Sequence, residues 1–272
     1  MNDAYKESVN WNLEWPKNTT GFSRVLLISE GKVLMERDPS DPLQFVFHTH
    51  DVDSDRLFLA QVNDTSWYCS EVDADQVPDS IQLIGLRELA SIDQHQFALA
   101  SRATQLLRWH RTHQFCGTCG HQTAPGAGEH VLNCNNCNAI FYPKISPCVI
   151  VLIHKQDAIL LARNIAHKDS TMFSLIAGFV EVGETVEQAV HREVMEEVGI
   201  SVEDITYQGS QSWPFPSQLM LGFYAKYSSG TIIIQEDELL EADWYPITRL
   251  PDIPPELSIA GWMIQSFIRH KS

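Results

Sequence analysis

Long apolar runs and basic residues are both scarce in this sequence. No run approaches the ~18 consecutive apolar residues of a membrane-spanning helix, and the opening MNDAYKESVN lacks the charged-then-apolar pattern of a signal peptide. We therefore expect a soluble, cytoplasmic protein without a membrane partner. Only 19 Lys and Arg stand against 35 Asp and Glu, and the net charge of −16 argues against broad attraction to nucleic acid. A local positive site for a small polyanion remains compatible with that charge.

The length and composition predict a globular chain with room for more than one domain. The chain has 272 residues, of which 44% are apolar and 10% aromatic. Strand-like runs separated by Gly, Asp and Pro precede a helical stretch from about residue 94 to 111. We expect residues 1–111 to form a β-rich domain closed by this helix, with no catalytic motif. Residues 112–143 and 144–272 follow as two further domains.

The middle segment is defined by its cysteines. Four of the six form the pattern C-x2-C-x14-C-x2-C, which has the spacing of a metal site in a reducing compartment: Cys116, Cys119, Cys134 and Cys137. Gly120 and Asn138 follow the two pairs, where a tight knuckle needs a positive φ. The hairpin between the pairs has almost no apolar core, and structural zinc supplies about 10–16 kcal/mol in comparable peptides. We predict one structural Zn²⁺ with a closed ligand set.

The richest chemical pattern lies in residues 178–200, GFVEVGETVEQAVHREVMEEVGI. Thr185 and Gln188 have the spacing of a capping box, so a helix is predicted to begin at Thr185, and Gly199 is suited to end it. Valines recur at every fourth position between these limits and form a stripe that should face the protein body. At about 100° per residue, Glu193 and Glu197 project into or along that stripe.

Inward carboxylates need compensation. Two of them about 4 Å apart repel by roughly 4 kcal/mol at an effective dielectric of about 20, and burial adds a desolvation cost. A hard divalent cation removes both penalties, and Mg²⁺ prefers a few carboxylates together with substrate phosphates. The alternative, a solvated acidic helix face, conflicts with the phase of the valine stripe.

Nine positions of this segment match every fixed position of the Nudix box, G-x5-E-x7-R-E-U-x-E-E-x-G-U with U apolar. They are Gly178, Glu184, Arg192, Glu193, Val194, Glu196, Glu197, Gly199 and Ile200. The segment resembles the Nudix hydrolases, which hydrolyse nucleoside diphosphates linked to another group. The resemblance implies an α/β fold: a Nudix α/β/α sandwich over residues 144–272, preceded by the zinc ribbon and the β-rich N-terminal domain.

A second motif follows in residues 210–220, SQSWPFPSQLM. Prolines on both sides of Phe215 stiffen a predicted extended loop, and Trp213 and Phe215 offer flat faces for a nucleobase or nicotinamide ring. A core-packed aromatic turn is the alternative. The stretch is similar to SQPWPFPxS, a signature of NADH pyrophosphatases, which also carry a four-cysteine ribbon before the Nudix domain. Ser212 replaces the first proline of that signature, and Gln218 stands at its final serine.

The resemblance implies a set of site residues. Metal ligands would be Glu193, Glu197, Glu238 and the backbone carbonyl of Ala177. Substrate contacts would come from Arg87, Tyr142, Ala260 and the loop residues Gln211, Ser212, Trp213, Pro214, Phe215, Pro216, Ser217 and Gln218. A surface salt bridge is an equally good interpretation of Arg87. Arg192 is predicted to be structural, with Glu184 as its partner, because a permanent cation among carboxylates holds the loop to the helix.

The implied reaction is metal-dependent hydrolysis of NADH to NMNH and AMP, with Mg²⁺ or Mn²⁺ as the catalytic ion. Glu197 is expected to matter most, as ligand, base or both, and Glu196 is the other candidate base. The resemblance also implies hydrolysis of NAD⁺, removal of an NAD cap from RNA to leave a 5′ monophosphate, and a homodimer. Two alternatives stay open: a pyrophosphatase for ADP-ribose or diadenosine polyphosphates, and a non-catalytic binding protein built on a degenerate Nudix fold. The intact box argues against the second.

Overall fold

A computed structural model describes residues 12–15, 22–38, 40–41, 45–50, 56–62, 65–167 and 171–271. The chain divides into two compact units, Met1–Lys144 and Ile145–Ser272. None of the described helices is both long enough and apolar enough to span a membrane.

The first unit is built on a mixed sheet with two helices. Its strands run in the order β3-β2-β1-β6-β5, with β4 paired to β1 and β7 paired to β2, and β1 lies parallel to β6. The elements are β1 (Phe22–Ser29), β2 (Lys32–Arg37), β3 (Phe45–Phe47), β4 (Thr49–His50), β5 (Leu57–Val62), β6 (Thr65–Glu71), β7 (Gln82–Ile84), α1 (Leu86–Ile92) and α2 (Gln94–Thr112).

The packing of this unit follows from its apolar strands. Val25, Leu27 and Phe58 belong to a buried cluster on one face of the sheet. Asp93 begins α2 by accepting hydrogen bonds from the backbone N–H groups of His95 and Gln96. After α2 comes a small antiparallel ribbon in the order β10-β9-β8, made of β8 (Thr123–Pro125), β9 (Leu132–Cys134) and β10 (Ile140–Phe141).

The second unit is an α/β/α sandwich. Its strands run in the order β14-β15-β11-β12-β16, with β13 paired to β11, and β11 lies parallel to β15. The elements are β11 (Ser146–Lys155), β12 (Ala158–Asn164), β13 (Ile176–Phe179), α3 (Val186–Val198), β14 (Ile200–Trp213), β15 (Gln218–Gly230), β16 (Leu239–Pro246) and α4 (Ile259–Lys271).

The two helices of this unit cover opposite faces of the sheet. Phe223 lies in the core cluster that contains the apolar stripe of α3. Its neighbour Gly222 faces the other way, where an added Cβ would meet Met263 and Ile259 of α4. The structure confirms the predicted fold class.

One predicted strand is wrong. The apolar, β-branched composition of residues 231–234 predicts a strand, but these residues form no strand and run past the end of α3. There, the N–H of Ile233 donates to the backbone carbonyl of Val198 at 3.0 Å. The N–H of Gln235 donates to the backbone carbonyl of Glu197, also at 3.0 Å. The last carbonyls of a helix lack partners within the helix, and this segment supplies them.

Candidate active site and zinc site

Helix α3 begins and ends at the residues that its sequence indicates. The Thr185 side chain accepts from the N–H of Gln188, whose side chain in turn accepts from the N–H of Thr185, which completes a capping box. Gly199 ends the helix with a φ of 68°. The cap fixes the rotation of the helix, so it also fixes which side chains face the sheet.

Two box glutamates are buried on that inward face. Glu193 is 9% exposed and Glu197 is 4% exposed, as the phase of the valine stripe predicts. Glu196 is exposed. A Cβ at Gly178 would overlap the carboxyl group of Glu193, so the box needs glycine at this position to bring strand and helix together.

Burial changes the acidity of both carboxyl groups. Desolvation, with the charges of Glu193 and Glu238 adding to it, raises the pKa of Glu197 to about 8. The pKa of Glu193 is also raised, mainly by burial, although Arg192 works in the opposite direction. Glu197 accepts a hydrogen bond from the backbone of Ala177, which lowers the pKa but does not offset the burial and the neighbouring charges. Carboxylates placed in this way are a site for a positive ion.

Arg192 is saturated with acceptors. Its Nε and Nη2 bind the two carboxylate oxygens of Glu184 at 2.8 and 2.9 Å. Its Nη1 donates to Glu193 and Glu196 at 2.8 and 2.9 Å, and Nη2 also donates to the Phe179 carbonyl at 2.8 Å. The guanidinium therefore joins the loop after β13 to α3, and the predicted Glu184 partner is present.

The remaining predicted ligands lie before and after this helix in the chain. Ala177 is in β13 and pairs with Ile150. Glu238 stands just before β16, where its carbonyl accepts from the N–H of Ile165 at 2.8 Å and its own N–H donates to Gln235 at 3.0 Å. Its carboxylate is close enough to raise the pKa of Glu197. Carboxylates and a backbone carbonyl are the oxygen ligands that a hard divalent cation takes, but the oxygens of these three carboxylates do not all lie within 4.8 Å of one another.

The four cysteines come together as their spacing predicts. Their Sγ atoms all lie within 4.8 Å of one another, and among the described residues they are the one set of His, Cys, Asp and Glu drawn together so tightly. The Cys116–Cys137 and Cys119–Cys134 sulphurs are 3.5 and 3.4 Å apart. Tetrahedral zinc with Zn–S bonds of about 2.3 Å separates its sulphurs by roughly 3.8 Å, so the cluster fits a zinc ion.

The turns that carry these cysteines have the expected backbone. Gly120 has a φ of 74° and Asn138 a φ of 61°. A hydrogen bond from the backbone of His121 lowers the pKa of the Cys119 thiol to about 5. Thiolate is the form that binds metal.

The aromatic motif forms a hairpin and not the predicted extended loop. Trp213 ends β14 and pairs with Gln218, which begins β15, so Pro214, Phe215, Pro216 and Ser217 form the turn. The Trp213 and Phe215 rings contact each other with centroids 5.1 Å apart. Both side chains are half-buried, and one hairpin therefore presents two rings as a unit.

Gln211 anchors this hairpin to α4. Its Nε2 donates to the Leu257 carbonyl at 3.1 Å, and its Oε1 accepts from the N–H of Ile259 at 2.8 Å. Ala260, the next residue, is buried. Ser217 donates its hydroxyl to the Pro216 carbonyl at 2.6 Å, and Ser212 is exposed on β14.

Two predicted substrate residues belong to the first unit. Arg87 is exposed in the first turn of α1, and Tyr142 is 56% exposed just after β10. In the second unit, Cys148 near the start of β11 is a free, buried cysteine, as is usual for a cysteine that packs as a small apolar residue. Burial, together with the charges of Glu193 and Glu197, raises the pKa of its thiol to about 12.

Comparison with sequence families agrees with this geometry. A model of the Nudix domain matches residues 144–263. A model described as the NADH pyrophosphatase zinc ribbon domain matches residues 111–142, and one described as an NADH pyrophosphatase-like rudimentary Nudix domain matches residues 23–109. A solved Nudix hydrolase from Nitrosomonas europaea superimposes with a TM-score of 0.51 at 24% identity, covering 58% of this chain and 92% of that one. Fold and site together define a Nudix hydrolase.

Two similar proteins narrow the assignment within the Nudix hydrolases. The NAD-capped RNA hydrolase NudC of Salmonella heidelberg is 47% identical over 183 residues, which cover 67% of this chain and 71% of that protein. The NudC of Salmonella typhi matches with the same identity and coverage. This chain belongs to the NADH pyrophosphatase family of Nudix hydrolases, and its four cysteines form the family's zinc ribbon.

Proposed function

We propose that this chain hydrolyses the pyrophosphate bond of NADH and NAD⁺, which yields NMNH or NMN together with AMP. We extend the proposal to NAD-capped RNA, from which the same cleavage leaves a 5′ monophosphate. The observation that carries it is the pair Glu193 and Glu197, buried on a capped helix beside Gly178. The names of the similar proteins support the choice of substrate.

We propose that Glu193, Glu197, Glu238 and the Ala177 carbonyl hold the catalytic ion, Mg²⁺ or Mn²⁺. Such an ion, when bound, neutralises charge on phosphoryl oxygens and lowers the pKa of water. With an ion held there, Glu197 would act as a carboxylate, because a nearby positive charge favours the ionised form that burial disfavours.

In this proposal each nearby residue has a distinct task. Glu197 orients the attacking water and takes its proton, and Glu196 is the alternative base because it is exposed on the same helix. Arg192 and Glu184 keep the loop after β13 against α3, so they position ligands and do not touch substrate. The Trp213 and Phe215 rings stack on a flat ring of the dinucleotide.

Further substrate contacts are proposed for residues whose role depends on the family signature. Arg87, Tyr142 and Ala260 belong to this group, together with the hairpin residues Gln211, Ser212, Pro214, Pro216, Ser217 and Gln218. We further propose domains over 1–111, 112–143 and 144–272, a homodimer, and a cytoplasmic location, where reducing conditions keep the four cysteines available for zinc.

One kinetic comparison tests the function. Purified protein is given NADH, NAD⁺, ADP-ribose, a diadenosine polyphosphate and NAD-capped RNA, each with Mg²⁺ and with Mn²⁺, and products are separated by chromatography. We expect the highest kcat/KM on an NAD-type substrate, with AMP or monophosphate RNA as product. A higher kcat/KM for ADP-ribose or the diadenosine compound would contradict the proposal and identify that compound as the preferred substrate. No hydrolysis of any of them would favour a binding protein.

A further inference from the structure

A half-buried arginine of the second unit makes no hydrogen bond to any described residue. Arg163 lies near the end of β12, and its side chain is 28% exposed. Its Nε is buried and has no hydrogen-bond partner in the part of the chain that the structure describes. The nearest carboxylate oxygen, on Glu241, is 3.6 Å from Nη2, beyond hydrogen-bond distance. A guanidinium carries five N–H donors, and leaving buried donors unpaired is costly.

The guanidinium is nevertheless held in place. Its carbon lies 5.9 Å from the centroid of the Phe173 ring, and Phe173 packs edge-on against Tyr245 at 5.3 Å. The hydroxyl of Tyr245 also interacts with Glu241. Among the described residues these contacts take none of the guanidinium's hydrogen-bond donors, and a guanidinium with available donors can bind an anion through two parallel hydrogen bonds.

The backbone neighbours of Arg163 are bonded to the two chain segments that carry Glu238 and Ala177. Ile165 donates its N–H to the carbonyl of Glu238, and Asn164 pairs with Leu239. Ala162 exchanges both backbone hydrogen bonds with Ser174, which lies three residues before Ala177 in the chain. A strand advances about 3.3 Å per residue, so this three-residue step spans roughly 10 Å.

The other half-buried arginine of this unit cannot serve an incoming anion. Arg192 already donates to two oxygens of Glu184, to Glu193, to Glu196 and to the Phe179 carbonyl. Arg249 and Arg269 are exposed, and Arg269 is paired with Glu256 at 2.7 Å. Arg163 is therefore the partly buried guanidinium with free donors among the described residues of this unit.

We propose that Arg163 is a substrate-binding residue that donates a bidentate pair of hydrogen bonds to a phosphate of the bound dinucleotide. This rests on the proposed pyrophosphatase function, and it assigns the positive charge that a twice-charged pyrophosphate needs in a strongly acidic chain. Because phosphate is present in substrate and in the product AMP, the contact acts mainly on binding.

The test compares Arg163→Gln, Arg163→Lys and the exposed-site control Arg249→Gln. We expect Arg163→Gln to raise KM for NADH by about tenfold to a hundredfold with a smaller change in kcat, as for a lost charge-assisted hydrogen bond. Arg163→Lys should recover part of the loss, since an ammonium keeps the charge but not the planar fork. Arg249→Gln should match the wild type. An unchanged KM in Arg163→Gln, with wild-type hydrolysis intact, would overturn the proposal.

A binding measurement separates this proposal from the function on which it rests. Calorimetric titration with AMP in the presence of Mg²⁺ needs no turnover. If the wild type binds AMP and Arg163→Gln binds it about tenfold or more weakly, the phosphate contact stands even when NADH is a poor substrate. Equal AMP affinity in the two proteins would overturn it. Circular dichroism checks folding, and Arg163→Lys decides the matter if the glutamine variant does not fold.

Discussion

In the first unit β1 pairs antiparallel with β2 and parallel with β6, and β6 pairs antiparallel with β5. In the second unit β11, β12, β15 and β14 repeat this plan. Further pairs correspond: β4 adds to β1 as β13 adds to β11, and β7 adds to β2 as β16 adds to β12. Helices α1 and α2 follow β7, the last strand of the first large sheet, and α4 follows β16, the last strand of the second.

The two units differ in the segment between the added strand and the next one. Between β13 and β14 lie residues 180–199, which contain α3 and its glutamates. Between β4 and β5 lie only residues 51–56, too few for a helix of that length. The sheet plan persists in both because apolar strands pair and bury in either unit. In the proposed function the chemistry depends on α3, and the family model that matches residues 23–109 is described as a rudimentary Nudix domain.

The largest effect on activity should come from replacing a buried glutamate of α3. Glu197→Gln keeps shape but removes a buried carboxylate, and we expect turnover of NADH to fall by about a hundredfold or more. Without metal, the free energy of unfolding should not fall, because burial disfavours the carboxylate charge that this substitution removes. The exposed Glu187→Gln on the same helix is the matched control. Near wild-type turnover at saturating Mg²⁺ would show that the helix is not what separates the two units.

The ribbon offers the second test, because the first unit carries it. Cys134→Ser, or removal of zinc by a chelator, should unfold the ribbon and lower Tm, with loss of activity following loss of fold. The exposed Asn135→Ser should keep zinc and Tm. Metal analysis and thermal unfolding are the measurements. Active, fully stable protein without zinc would contradict the structural role.

The aromatic hairpin gives a smaller effect. In the first unit the β5–β6 connection is Asn63-Asp64, without aromatic residues, whereas β14–β15 carries Phe215 beside Trp213. Trp213→Ala or Phe215→Ala should raise KM for NADH by about tenfold to a hundredfold, since stacking on a base contributes about 1–3 kcal/mol. Hydrolysis of a minimal pyrophosphate should change much less. Equal losses on both substrates, with circular dichroism unchanged, would mean that the hairpin supports the metal site instead.

The smallest effect concerns pH. Burial and the charge of Arg102 lower the pKa of His130, between Trp15 and Trp109, to about 4, although its hydrogen bond to the Phe58 backbone opposes the shift. Between these pKa values the unfolded chain binds a proton at His130 that the folded chain does not bind. The free energy of unfolding is therefore highest above about pH 6.5 and declines as the pH falls toward 4.

His130→Phe tests this without losing the aromatic packing. Its Tm should fall less than that of the wild type between pH 7 and 5, as followed by circular dichroism. Parallel curves for the two proteins would assign the acid sensitivity elsewhere.

Local signals explain what the sequence could predict. A capping box, a valine every fourth residue and Gly199 act within one helix, so α3 and the inward phase of its glutamates were predictable. The cysteine knuckles were predictable for the same reason. Strand β14 was missed because its bulges, one of them around Asp204 with a φ of 53°, break the alternation that marks a strand.

Features that depend on contacts between residues far apart in the chain could not be predicted from the sequence. The likeness between the two units lies in strand order, which no short motif records. Residues 231–234 look like a strand by composition, but the free carbonyls at the end of α3 bind them instead. Arg163 gave no signal either, because its unpaired donors are visible only when Glu241 and Phe173 are in place.

The segment after β15 has a further consequence. Its N–H groups are bonded to the end of α3 at Val198 and Glu197, and three residues beyond Gln235 the chain reaches Glu238. Backbone hydrogen bonds and the number of residues from Gln235 to Glu238 therefore set the distance between the glutamates of α3 and Glu238. The side chain of Ile233 is 71% exposed, whereas Ile232 and Ile234 pack against the core cluster. Inserting or deleting one residue between 233 and 238 should displace the carboxylate, so related chains should keep the same length here.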